Sequence, residues 1–171
     1  MLRDSTIVRR ALIDPSGNYR YSLERQWQAE APRLTVLMLN PSRADERIDD
    51  PTIRRCMALA QGWGFGAIVV VNLFAYRTAH PKELQAVANP IGPDNDNVLV
   101  AAAAQADCLL LAWGNGGQLY QRDQAVLALL EPYRARWCAI ARNRTGQPCH
   151  PLYVRRDAEL KAWTALLPNP S

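Results

Sequence analysis

Four short apolar runs, each stopped by a polar or glycine-rich segment, constrain this chain more than any other feature. Residues 34–39 run into Asn40-Pro41-Ser42, and 67–71 into Asn72. Residues 108–112 run into Trp113-Gly114-Asn115-Gly116-Gly117, and 137–141 into Arg142-Asn143-Arg144-Thr145-Gly146. Strands that are apolar on both faces belong in a parallel sheet covered by helices on each side. The intervals supply helices. Asp50-Pro51 reads as a helix start, with Asp as N-cap and Pro at the first helical position, ahead of 52–61. His80-Pro81 opens a short helix, and 94–105, 119–130 and 157–166 complete the set. Alternation at this spacing predicts a three-layer α/β/α domain around a central, mainly parallel four-stranded sheet. Ahead of it, 7–13 and 19–23 flank Asp14-Pro15-Ser16-Gly17-Asn18, which predicts an N-terminal β-hairpin. The expected organisation is one domain over 1–171: a hairpin preamble at 1–30, the α/β core at 31–166 and a tail at 167–171.

Composition narrows the class. Hydrophobic residues make up 49% and charged residues 21% of the 171, values of a globular chain with enough length for a real core. The longest uninterrupted apolar run, 98–104, is far below the ~18–20 residues a membrane span needs. The N-terminus has no apolar stretch behind its charge, so no secretory signal is read there and a cytoplasmic location is expected. Of the 20 basic residues only Lys82 and Lys161 are lysine, and the net charge is +4. Arginine's planar fork suits phosphate and carboxylate, although a GC-rich genome yields the same bias. This charge permits a nucleobase, nucleotide or nucleic-acid partner without demanding one. The four cysteines are scattered with no C-x-x-C pair, so neither zinc nor a disulfide framework is expected, and no cofactor is implied.

In open α/β sheets, ligands bind beyond the carboxyl ends of the strands. Reading just past each run therefore yields a short inventory: Asn40 and Ser42; Asn72, Phe74, Tyr76 and Arg77; Trp113 and Gly114; then Arg142 and His150. Amides that both donate and accept, beside aromatic faces, suit recognition of a planar heterocycle. Each element also has a structural alternative. Asn40 before Pro41 can simply start a turn, Asn72 can end a strand, Trp113 can be core, and Gly114 can belong to a sharp turn or an anion-binding nest. Asp45 and Asp49 lie on the loop after the first run, where either can reach the crevice as a general base or a ribose ligand, while Asp50 reads as the helix cap. Arg54, Arg55, Arg77, Arg142 and Arg144 either ring the site for a phosphate or lie on solvated faces.

The segments Leu37-Met38-Leu39-Asn40-Pro41-Ser42, Asp49-Asp50-Pro51-Thr52-Ile53-Arg54-Arg55-Cys56, Trp63-Gly64-Phe65-Gly66, 70–77, Ala112-Trp113-Gly114 and 146–153 resemble a bacterial and phage family catalogued as domain of unknown function 1643. The order of motifs is more distantly similar to the uracil-DNA glycosylase superfamily: a strand ending in a polar residue before Pro, a strand ending in Asn, a strand ending in Trp-Gly, then a loop with His-Pro. That resemblance implies a glycosylase-like hydrolase fold without metal. It makes Asn40 the water-positioning residue, with Asp49 if it reaches, Asn72 the reader of the base edge and His150 the group that offsets charge on the departing base. Phe74 or Tyr76 would supply the stacking surface. Leu152 and Tyr153 follow His150-Pro151, so the serine-containing loop of those enzymes is not reproduced. A non-catalytic nucleotide-binding or nucleic-acid-binding module uses the same inventory, with Arg77, Arg142 and Arg144 on phosphate.

Overall fold

The apolar runs form the interior of one mixed sheet. A computed structural model describes residues 7–166. Its strands are β1 (Val8–Ile13), β2 (Arg20–Gln26), β3 (Arg33–Met38), β4 (Ala67–Asn72), β5 (Cys108–Leu111), β6 (Trp137–Ala139) and β7 (Lys161–Ala162), in the spatial order β1-β2-β4-β3-β5-β6-β7. The inner pairs β4–β3, β3–β5 and β5–β6 are parallel, whereas β1–β2, β2–β4 and β6–β7 are antiparallel. The expected four-stranded sheet is thus corrected to seven strands, with the hairpin built into it rather than preceding it. The reason is the edge of β4, which would otherwise present unpaired N–H and C=O groups. β2 covers it, burying Tyr21, Leu23 and Arg25 by period-two alternation. The predicted tail, 167–171, and residues 1–6 lie outside the described residues.

Helices cover both faces. On one, α1 (Pro51–Gly62) buries Ile53, Cys56, Met57, Leu59 and Ala60, the 3.6-residue spacing of a single stripe, against Leu34, Val36, Ile68 and Val70. On the other, Leu99 and Ala103 of α2 (Asn95–Gln105) and Val126 of α3 (Arg122–Leu129) pack on Leu37, Val71, Leu109 and Leu111. The start of α1 is as the sequence predicts: Pro51 occupies the first turn and Asp50 Oδ1 accepts from the Ile53 N–H at 2.9 Å. Truncating a fully packed residue such as Ile53 to Ala costs ~2–5 kcal/mol.

Two predicted helices differ. The segment 119–130 is broken by Tyr120 and Gln121, both at φ 54°, so a 3₁₀ turn (Asn115–Gln121) precedes α3. The break lets the buried Arg122 donate through Nε to the Leu73 carbonyl at 2.8 Å and pair with Asp96 at 2.6 Å. The segment 157–166 forms no α-helix. Lys161 and Ala162 close the open edge of β6, and Trp163 lies buried under the Arg142 guanidinium, 4.4 Å from its centroid. Cys108 and Cys138, on adjacent strands, are joined by a disulfide where the sequence leads one to expect two free thiols; Cys56 and Cys149 are free.

Register fixes where the strands end. Met38 faces Asn72 across the β3–β4 pair, and Leu37 faces Leu111 across β3–β5. The ladder continues one step further, with Leu73 N–H on the Met38 carbonyl, Phe74 N–H on Leu39 and Ala112 N–H on Leu37, each at 2.9 Å. Asn40, Asn72 and Trp113 therefore leave the sheet at the same end.

Candidate functional site

At that end lies a crevice of about 540 Å³, within the ~300–1,000 Å³ range of small-molecule sites. Five of the sequence-predicted residues line it: Asn40, Ser42, Asn72, Trp113 and His150. It also takes in Arg20, Arg43, Asp50, Thr78 and Tyr153, together with the first turn of α1.

Asn72 ends β4 with its side chain 1% exposed, and its Oδ1 has no hydrogen-bond partner among the described residues. Its backbone carbonyl accepts from Asn95 Nδ2 at 2.9 Å. A buried polar atom left unmatched costs ~1–3 kcal/mol, so one that lines a crevice marks where a ligand atom belongs. Asn40 is different. Its Nδ2 donates to the carbonyls of Thr78 at 2.9 Å and Pro41 at 3.1 Å, which fixes the amide and leaves Oδ1 as an acceptor.

His150 stands before the 3₁₀ turn Pro151–Tyr153, and its Nδ1 accepts from the Leu152 N–H at 3.2 Å. With Nδ1 accepting, the proton of the neutral ring sits on Nε2. Burial pushes this imidazole below its ordinary value, and the Asp50 carboxylate opposes that shift. The ring is therefore a neutral donor near pH 7. The loop carrying it is tied to the end of β5: Gly114, at φ +72°, donates its N–H to the Pro148 carbonyl at 2.9 Å. A Cβ on Gly117 would collide with the Trp113 ring, so this glycine lets the turn close over the indole.

Trp113 separates the crevice from a second cavity of about 520 Å³. Its Nε1 donates away from β5 to Gln147 Oε1 at 2.6 Å, and Gln147 Nε2 donates on to the buried Asp123 at 2.9 Å. Arg142 lines this second cavity, its Nε on the Gly146 carbonyl at 2.9 Å. It is not part of the first.

Four other predicted residues also lie elsewhere. Asp49 Oδ1 accepts from the fully buried Arg25 at 2.8 Å and from Arg9 at 3.0 Å, an arrangement that pins the 45–49 loop to the hairpin. The acidic residue on the crevice wall is its neighbour, Asp50. Phe74 is wholly buried in the core against α2 and α3. Tyr76 packs edge-on to Tyr19, with ring centroids 6.1 Å apart. Arg77 joins two loops, donating to the Ser42 and Gly17 carbonyls at 3.4 Å each. The exposed aromatic at the crevice rim is Tyr153, its ring 5.5 Å from that of His150.

Sequence reasoning missed Arg20. It lies on β2, 2% exposed, with one guanidinium N–H on the Ala44 carbonyl at 3.0 Å and its Nε unpartnered. Its only sequence signal is an arginine opening an otherwise alternating strand. Among the described residues, no group of three or more His, Cys, Asp and Glu is placed to hold a metal ion, and no helix is long and apolar enough to cross a membrane.

Comparison with known proteins gives one result. No curated protein and no solved structure matches the chain. A family model matches residues 20–152, a span that runs from Arg20 through Asn40, Asn72 and Trp113 to His150 and so contains nearly the whole crevice. The chain belongs to the family described as Protein of unknown function (DUF1643).

Proposed function

We propose that the protein recognises a nucleobase in this crevice and hydrolyses the N-glycosidic bond that carries it. The observation behind this reading is the buried, unmatched Asn72 amide at a strand end, in one crevice with a neutral imidazole donor. An amide at that position can pair with the edge of a pyrimidine or purine, which offers the complementary donor and acceptor. In the reaction a water oxygen bonds to the sugar C1′, the C1′–N bond breaks, and its electron pair leaves with the base. His150 Nε2–H donates to the oxygen where that charge develops, an oxyanion-type role. Asn40 Oδ1 holds the attacking water but is no base. The Asp50 carboxylate takes the water's proton, the role the sequence offers to Asp49. Tyr153 at the rim is the stacking surface in place of Phe74 or Tyr76. The position of these residues at the ends of the parallel strands supports the distant resemblance to the uracil-DNA glycosylase superfamily.

A second reading is non-catalytic binding of the same base. It is favoured by the structural duties of Asn40, fixed on two carbonyls, and of Asp50, which caps α1. The test is base release from nucleoside 5′-monophosphates and from single-stranded and duplex DNA and RNA carrying uracil, hypoxanthine or unmodified bases. Hydrolysis requires a released base that disappears with His150→Ala. Binding that survives without release selects the second reading.

A further inference from the structure

Arg20 is a buried cation with no ion-pair partner among the described residues. Burying a charge is expensive unless it is paired. Yet its guanidinium holds one carbonyl, Ala44, and its Nε holds nothing. The nearby charges do not settle it: Asp50 and Asp45 favour the charged form, Arg77 and Arg25 oppose it, and burial draws Arg20 down to about 10. It still carries its charge at neutral pH, and it lines the crevice. Exposed Arg43 stands on the same wall, and the positive end of α1 enters through Pro51, Thr52 and Ile53. Asp50 is the one negative group there, and it is engaged at the Ile53 N–H.

We propose that Arg20 and Arg43 form an anion subsite in this crevice that takes the terminal phosphate of a nucleotide. The phosphate follows from the unpaired guanidinium, while the nucleotide rests on the base-recognising reading of the same crevice. A guanidinium fork matches phosphate oxygens in two parallel bonds. Because Arg20 is buried, the phosphate must enter the crevice. A terminal monoester presents its phosphate at the end of the ligand and can do this, whereas a phosphodiester would have to bring chain in on both sides. A crevice of about 540 Å³ holds a ligand of mononucleotide size.

The experiment has two stages. Thermal unfolding in phosphate-free buffer is followed with added inorganic phosphate, for the wild type, Arg20→Met, Arg20→Lys and Arg43→Ala. Calorimetric titrations then compare the four ribonucleosides, their 5′-monophosphates and a short oligonucleotide without a terminal phosphate. Phosphate should raise the wild-type Tm but not that of Arg20→Met. The monophosphate should bind about 10- to 100-fold more tightly than its nucleoside, the scale of a charge-assisted contact, and Arg20→Met should erase that gain. If Arg20→Met does not fold, Arg43→Ala should show a reduced gain and Arg20→Lys a partial one. The proposal is overturned if phosphate neither protects the wild type nor improves on the nucleoside, or if the gain survives in Arg20→Met or is undiminished in Arg20→Lys and Arg43→Ala. It is also overturned if the oligonucleotide binds as tightly as the monophosphate. Protection by phosphate with no contribution from any base would keep the anion subsite and remove the base reading, so the two fail separately.

Discussion

At the scale of single residues, function and folding ask different things of Asn72. Its amide is unmatched in the free protein, so replacing it with apolar Leu of similar size removes a buried polar atom without removing a bond. Asn72→Leu should leave the Tm unchanged or slightly raised, yet weaken ligand binding by about 10-fold or more, read by thermal unfolding beside titration calorimetry. Asp49 should behave in the opposite way. Its carboxylate is the partner of a fully buried arginine, and stripping a buried pair of one member costs ~3–5 kcal/mol. Asp49→Ala should lower the Tm markedly while the remaining folded protein binds ligand normally; loss of binding at unchanged Tm would return Asp49 to the site.

His150 gives a pH signature. Its pKa is lowered in the folded state, so the unfolded chain takes up this proton first as pH falls. Where the unfolded state binds more protons, stability rises with pH. His150 therefore contributes a stability loss that begins as pH drops through the ordinary value of 6.5 and levels off below the folded value. Ligand binding through the neutral ring should weaken only as pH falls through the lowered folded value. Because Asp50 raises this pKa, Asp50→Asn should move the imidazole titration to lower pH, followed by NMR of the ring C–H signals. Asn is itself a good N-cap, so α1 should stay intact. A titration that moves upward would contradict the electrostatic account.

At the scale of elements, the chain is most legible where one rule acts alone. The four apolar runs become the parallel strands because nothing but burial on both faces suits them, and α1 begins where Asp50-Pro51 says it should. The errors fall where a local pattern meets a tertiary demand. Residues 157–166 have a helical spacing, but the open edge of β6 takes two of them as β7. Residues 119–130 look continuous, yet Tyr120 and Gln121 adopt the left-handed conformation to bring Arg122 against Leu73. Left-handed backbone costs a non-glycine residue ~1–2 kcal/mol. Tyr120→Gly should thus be neutral or stabilising, whereas Ala125→Gly inside α3 should cost ~1 kcal/mol, both read from denaturant midpoints. Equal destabilisation at the two positions would argue against the break. The candidate site shows the same division. Asn40, Ser42, Asn72, Trp113 and His150 converge because strand ends converge, a property of the topology. Arg20 and Tyr153 enter from β2 and from a loop, and no periodicity reports which of many arginines turns inward.

At the scale of the whole molecule, the sheet, its two helical layers and the hairpin make one open end. Two of the five buried side-chain atoms without a hydrogen-bond partner among the described residues belong to it, while Glu24 Oε1, Asn95 Oδ1 and Trp137 Nε1 lie elsewhere. Asn72 Oδ1 and Arg20 Nε are both buried, both unpartnered, and both belong to residues of one crevice. A family model spanning 20–152 embraces that crevice but supplies no activity for it. The most direct test is the base-release assay on nucleoside 5′-monophosphates and on uracil-, hypoxanthine- and unmodified-base DNA and RNA, run with wild type, His150→Ala and Asn72→Leu in parallel. Free base should appear from at least one substrate with the wild type and none above background with either variant. No release from any substrate, or release that persists in both variants, would contradict the proposed hydrolysis.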